Sequence, residues 1–306
     1  MSTENENCYD LTKLNEDLSN TVILSLLIDQ QKRVLVGTEN EGLYILDEGQ
    51  VAHYVSNSDY NNQLSGNSIW TIYEDRAGII WIGTHLKGLN KIDPLEGKFK
   101  QIQKFKCGDT SIELDQVSTI LETEDRIWIG TDGKGLYSLE KSTRIYHCHD
   151  LALSEAGAIT ALIEDRNGML WVGTWKYGVI KYDYQQGKRT FLKSAKATNK
   201  EDYSDFVHTM CKDGRGNMWV PYFGEKIEIY QQGNAIATLD QHELVSTRIN
   251  ILINGCQGEM IIGTEESGIQ VVYTDENNKI ARSKYYLNSE STKIGYYISD
   301  LSLIHI

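Results

Sequence analysis

The chain has 306 residues, 40% apolar and 24% charged, enough apolar material to bury a large core and too much for a disordered polypeptide. Thirty Lys and Arg stand against 43 Asp and Glu, and the formal net charge of -13 opposes phosphate backbones and anionic lipid, so nucleic acid is excluded as an expected partner. Two Pro against 26 Gly suit many tight turns between strands better than extended linkers.

The opening MSTENENCYD has neither a basic nor an apolar leader region, so no export signal is expected as written, although Met1 reads equally well as an internal Met. No stretch approaches the roughly 18 apolar residues that span a bilayer. From residue 22 onward one phrase returns six times. It reads VLVGTENEGLYIL at 34, IWIGTHLKGLNKI at 80, IWIGTDGKGLYSL at 127, LWVGTWKYGVIKY at 170, MWVPYFGEKIEIY at 218 and MIIGTEESGIQVV at 260. The markers Gly37, Gly83, Gly130, Gly173, Pro221 and Gly263 are separated by 46, 47, 43, 48 and 42 residues, a period near that of a four-stranded propeller blade.

Each unit is predicted to open on a short apolar strand led by Ile23, Ile69, Val117, Ile159, Val207 or Ile249. An acidic turn follows, as in Asp75-Arg76-Ala77-Gly78 and Asp165-Arg166-Asn167-Gly168, where Asp can bond its own backbone and Gly supplies a positive φ. The second strand carries Trp81, Trp128, Trp171 or Trp219. A loop from Gly-Thr to a second Gly at 42, 88, 135, 178 or 268 then reads as a bulged hairpin, and third and fourth strands complete a meander. The large side chains of one meander find partners only on neighbouring meanders, so the four Trp read as packing between blades.

The fold class is therefore all-β, a β-propeller with six complete blades beginning near 22, 68, 116, 158, 206 and 248 and the start of a seventh from 297, all in one domain. Glu6 to Leu14 could add an outer strand to that seventh blade. The terminal LSLIHI, 301 to 306, reads as a sequencing-adapter artefact, with the gene cut short.

The segments IYEDRAGIIWIGTHLKGLNKID and LIEDRNGMLWVGTWKYGVIKYD, with LSGNSI and LSNTVI leading into strands, resemble the two-component regulator propeller repeat. The resemblance implies the periplasmic sensor region of an inner-membrane hybrid histidine kinase of Bacteroidetes type. In such a parent an oligosaccharide binds outside, a second propeller and a β-sandwich are partners, a homodimer forms, and glycan-use genes respond. By the same resemblance this fragment is not itself an enzyme; the kinase would belong to the parent. The fifth unit departs from the pattern, with Pro221-Tyr222 for Gly-Thr and Lys226 where the second Gly belongs.

The loop after the second strand and the loop entering the first are expected on one face of the disc. Aromatic rings offer flat surfaces to sugar C–H faces, so Trp175, Tyr177, Tyr222 and Phe223, on adjacent units, are the expected platform; packing among the loops themselves is the alternative. His85 lies in the corresponding loop of the second unit. The residue after each leading one varies as Leu24, Trp70, Ser118, Thr160, His208 and Asn250, which suits a channel lining. Trp70, His208 and Asn250 are thus further ligand candidates, against a merely solvated pore. No metal and no cofactor are expected. His147-Cys148-His149 reads as an outer strand, the five scattered Cys suggest neither a disulfide framework nor a zinc site, and GTDGKG at 130 lacks the Ser or Thr of a phosphate loop. Two other classes remain open. A polysaccharide lyase would use a His and carboxylate cluster near the axis, such as His208 with Asp205, and a pure interaction scaffold would show a large apolar disc face.

Overall fold

The computed structural model describes residues 21–56, 64–93, 98–153, 157–192, 205–255, 258–265 and 267–286. Among them there is no α-helix. Six antiparallel four-stranded sheets follow one another in strict sequence order, the blade architecture of a β-propeller. The expected seventh blade from 297, the extra strand at Glu6 to Leu14 and the 301–306 segment lie outside the described residues.

Blade 1 is β1 (Ile23–Ile28), β2 (Val34–Thr38), β3 (Leu43–Asp47) and β4 (Gln50–Tyr54); blade 2 is β5 (Ile69–Glu74), β6 (Ile80–Thr84), β7 (Gly88–Asp93) and β8 (Lys98–Ile102). A hairpin that the repeat did not announce follows, β9 (Lys104–Cys107) with β10 (Thr110–Glu113). Blade 3 is β11 (Val117–Glu122), β12 (Arg126–Thr131), β13 (Leu136–Glu140) and β14 (Tyr146–His149). Blade 4 is β15 (Ile159–Glu164), β16 (Leu170–Thr174), β17 (Val179–Asp183) and β18 (Lys188–Leu192). Blade 5 is β19 (Cys211–Lys212), β20 (Met218–Tyr222), β21 (Lys226–Gln231) and β22 (Asn234–Leu239); blade 6 is β23 (Ile249–Asn254), β24 (Met260–Thr264), β25 (Ile269–Thr274) and β26 (Ile280–Tyr286). The chain divides into two compact units, the first holding blades 1 and 2, the second blades 3 to 6.

Within each unit the core lies between successive blades. In the first, Leu35, Leu43 and Ile45 pack against Ile69, Ile72, Ile80 and Ile82. In the second, Trp128 and Leu136 pack on Ile159, Leu170 and Val172 of blade 4, Trp171 and Val179 on Val207, Met218 and Val220 of blade 5, and Trp219 and Ile229 on Ile249, Met260 and Ile262 of blade 6. All four second-strand Trp are at most 2% exposed, as expected of packing residues. The marker glycine is required by this stacking: a Cβ on Gly130 would lie 2.7 Å from Ile159 Cγ2 of the next blade.

Two local devices account for the repeated letters. In the first turn Asp75 Oδ1 accepts the N–H groups of Ala77 and Ile79, Gly78 sits at φ 77°, and the Trp81 indole donates to Asp75 Oδ2 at 2.8 Å. Asp165 with Trp171 and Asp213 with Trp219 repeat the indole bond at 3.0 and 3.1 Å, so the recurring acid closes its turn and satisfies the buried indole N–H together. In the second device, Thr38, Thr84, Thr131, Thr174 and Thr264 each donate a hydroxyl to the carbonyl of the Gly four residues on. Those glycines have φ between 66° and 99°, the left-handed region that a side chain disfavours.

Blade 5 shows what the variant letters cost. In blade 4 the marker Gly173 pairs with Ala161 of the first strand, and Pro221 in its place has no N–H to offer. The first strand expected from Val207 is accordingly reduced to Cys211–Lys212. The loop is nevertheless rebuilt: Glu225 N–H donates to Tyr222 O across a tight turn, and Gly224, at φ 76°, donates to Thr247 O as Gly178 donates to Asp205 O in blade 4. Gly224 thus does the work of the second Gly, two residues early.

The cysteine expectation is corrected. Cys107 on β9 and Cys148 on β14 form a disulfide with Cα atoms 6.0 Å apart. Their 41-residue separation joins the extra hairpin to the outer strand of blade 3, a relation that no short spacing motif reports. Phe105 of the same hairpin stacks on Tyr146 at 4.4 Å and meets Tyr137 edge-on at 5.1 Å.

Candidate functional site

The loop after the second strand and the connector entering the first share one face, because they are hydrogen-bonded to each other. Trp175 N–H donates to Ala158 O, Phe223 N–H to Phe206 O, and Gly178 N–H to Asp205 O of the next connector. Thr174 Oγ1 also receives the Tyr177 N–H at 2.9 Å, which fixes the backbone on both sides of Trp175 and Lys176.

On this scaffold four rings of the second unit come together. Trp175, 39% exposed, lies over Phe206 with centroids 4.1 Å apart, Phe223 reaches Phe206 at 5.3 Å, and His208 meets it edge-on at 5.6 Å. Phe206 was not among the residues singled out from sequence. Its signal was positional: it stands just before the leading Val207, where the other units have Val22, Ser68, Gln116, Ala158 and Arg248. Burial holds the His208 imidazole below its ordinary pKa, so it faces the rings as a neutral group at physiological pH.

The other expected residues are distributed differently. Tyr177 is half-buried, while Tyr222 is fully buried and so is not part of an exposed platform. Its hydroxyl lies 3.0 Å from that of Tyr230, which donates to Glu228, itself paired with Lys226 at 2.6 Å. Burial raises the pKa of both tyrosines, keeping the two phenol hydroxyls protonated. Trp70 and His85 stack on each other in the first unit, centroids 4.6 Å apart and planes 17° from parallel. Asn250 is buried. No group of three or more His, Cys, Asp or Glu among the described residues is placed to hold a metal ion.

The His147-Cys148-His149 strand is the outer strand of blade 3, as expected. His149 is tied to Ser138 Oγ at 2.8 Å and to the Tyr182 hydroxyl at 3.2 Å, and leans on Trp128. Burial, aided by the charges of Arg126 and His147, lowers its pKa to about 4. The unfolded chain, with His near 6.5, therefore binds this proton more readily. Stability is expected to fall as pH drops below about 6.5 and to level off below about 4, by at most about 3 kcal/mol from this group. Urea titrations from pH 7 to 4 of wild type and His149→Gln should diverge in that window; parallel curves would remove His149 as their cause.

Residues 63–85 and 154–176 match the family model described as two component regulator propeller. These segments are similar to two-component regulator propeller repeats. The first spans the Leu64-Ser65 connector to His85, and the second ends at Lys176 beside the exposed indole, so the repeat itself builds the loop face. Solved structures share the fold. The extracellular domains of two B. thetaiotaomicron chains described as hybrid two component systems superpose with TM-scores of 0.70 and 0.72 at 18% and 19% identity, over 91% and 92% of this chain. This chain spans about a third of their length, 35% and 36%. Virginiamycin B lyase from Staphylococcus aureus superposes at 0.65 with 12% identity, over 88% of this chain and 86% of that one. At these identities the likeness is one of fold. No curated protein matches the sequence.

Proposed function

We propose that this chain is the ligand-sensing, extracytoplasmic propeller of a two-component sensor histidine kinase, and that an oligosaccharide lies against Trp175 and Phe223 over the buried Phe206. The observation that carries the reading is the exposed indole, held rigid by its loop and backed by two further rings in a region built from sensor-type repeats. A flat, preorganised aromatic surface beside a neutral imidazole and the Lys176 ammonium suits the C–H faces and hydroxyls of a sugar. Extracytoplasmic placement is supported by the Cys107–Cys148 disulfide, a bond that persists in oxidising compartments. It is supported also by the extracellular domains that share the fold. Kinase, membrane anchor, second propeller, β-sandwich and dimer contact are assigned to the parent chain.

Calorimetry of the parent sensor region against a glycan panel tests the site. Trp175→Ala is expected to weaken binding about tenfold, equivalent to about 1.4 kcal/mol, with a smaller loss of stability than at a fully buried Trp because the ring is 39% exposed. A glycan that binds wild type and Trp175→Ala equally well would move the site elsewhere.

A further inference from the structure

The residue after each leading one has a structural identity that its letters conceal. In β11 and β15 the register with the second strand shifts between the leading residue and the residue two places on, so Ser118 and Thr160 occupy β-bulges. A bulged residue leaves the ladder and its side chain is re-aimed. Both of these side chains grip the next blade: Ser118 Oγ donates to Ile159 O, and Thr160 Oγ1 donates to Val207 O. Each acceptor is the carbonyl of the residue leading the following first strand.

His208 holds the corresponding place in blade 5, and there the grip is absent. The first strand of that blade is paired only over Cys211–Lys212, so His208 lies outside the ladder, and its imidazole meets Phe206 edge-on at 5.6 Å. Among the described residues neither ring nitrogen bonds Ile249 O or any other group, and the ring is partly exposed. Trp175 lies on the same Phe206 at 4.1 Å, so the indole and the imidazole are close enough for one disaccharide to touch both.

The charge around this imidazole limits what it can hold. Burial is the whole cause of its lowered pKa; Asp205 on the same connector and Lys176 and Glu225 on the neighbouring loops contribute nothing to it. A hydroxyl suits a neutral imidazole, which accepts at one nitrogen and donates at the other. A carboxylate placed there loses its water with no fixed cation beside it, which is costly. Lys176 is exposed, and an exposed ion pair adds at most about fivefold in affinity. The net charge of -13 opposes an anion further.

Building on the oligosaccharide reading above, we propose that His208 is the specificity-determining residue of the site: its free ring nitrogens bond hydroxyls of an uncharged sugar whose ring lies against Trp175, and sugars carrying a carboxylate are rejected.

Calorimetry on the full chain tests this with cellohexaose, laminarihexaose, mannohexaose and β-1,4-galactohexaose, each beside its C6-carboxyl counterpart. A neutral member is expected to bind and to be weakened by Trp175→Ala, and wild type should hold the matching C6-carboxyl sugar at least about tenfold more weakly. His208→Phe, which keeps a ring against Phe206, is expected to lose about tenfold for the neutral sugar, whereas the His208→Gln amide, a donor and acceptor like imidazole, should recover most of it. A carboxylated sugar that binds as tightly as its neutral counterpart and depends on Trp175 overturns the selection by charge and leaves the aromatic site standing. A neutral sugar held equally by wild type and His208→Phe overturns the role of His208 in the same way. Binding indifferent to Trp175, or none across the panel, overturns the aromatic site and this inference with it. The comparison of each sugar with its C6-carboxyl counterpart needs wild type alone, so it decides the matter even if His208→Phe fails to fold.

Discussion

Trp128→Ala is expected to lower the stability of the chain by about 3–5 kcal/mol, the range for deleting a large, fully buried aromatic side chain. The indole is wholly shielded from water. It packs among Leu136, Leu151, Ile159, Leu170 and Val172, meets Tyr184 edge-on at 4.9 Å, and donates its N–H to Thr123 Oγ1 at 3.2 Å. Alanine removes the apolar filling between blades 3 and 4, and strands on both sides are too firmly paired to collapse into the space. The comparison with Trp175→Ala separates packing from recognition on one chain: the buried ring should shift the urea midpoint much further than the partly exposed one. A midpoint for Trp128→Ala within experimental error of wild type would mean that blade stacking is not what holds the second unit together.

Opening the Cys107–Cys148 bond is the second large effect expected. Closing a loop of 41 residues restricts the unfolded chain by about 4 kcal/mol in the chain-entropy account. Cys107→Ser with Cys148→Ser, or wild type held in reductant, should lose stability approaching that amount. The local consequence should be freer opening of the β9–β10 hairpin, seen as faster amide exchange at Phe105 and Lys106, with the Phe105, Tyr137 and Tyr146 rings providing the remaining anchorage. Cys211 should not compete for exchange, because burial raises its thiol to about 11 and keeps it protonated. Peptide mapping without reductant that finds Cys107 and Cys148 as free thiols in protein made in an oxidising compartment would contradict the pairing itself.

The blade pattern was legible because it rests on local chemistry repeated six times. Alternating apolar residues form strands, Asp and Gly close the first turn, and Thr and Gly close the second. The place of the four Trp was legible for the same reason. What could not be read were relations between side chains far apart in sequence. The sequence shows Asp75 and Trp81 as two letters of a turn and a strand that recur between units; only the fold shows the carboxylate accepting the indole N–H. Tyr222 read as an exposed platform residue because its loop neighbours are aromatic, yet it holds the place that a buried Thr fills in the other five blades, and there it pairs with Tyr230. Phe206 went unnoticed because nothing in its own unit marks it, whereas in space it is the ring on which Trp175 rests.

The amino-acid sequence by itself determined the all-β class, the period, the order of strands within each blade and the similarity of two segments to two-component regulator propeller repeats, since each depends on contacts a few residues apart. Only the tertiary structure decided the disulfide between the hairpin and blade 3, the grouping of Trp175, Phe206, His208 and Phe223, and the bulge hydroxyls of Ser118 and Thr160 that join one blade to the next. These join residues from different repeats, and whether two such residues meet depends on how whole sheets pack, which no local pattern specifies.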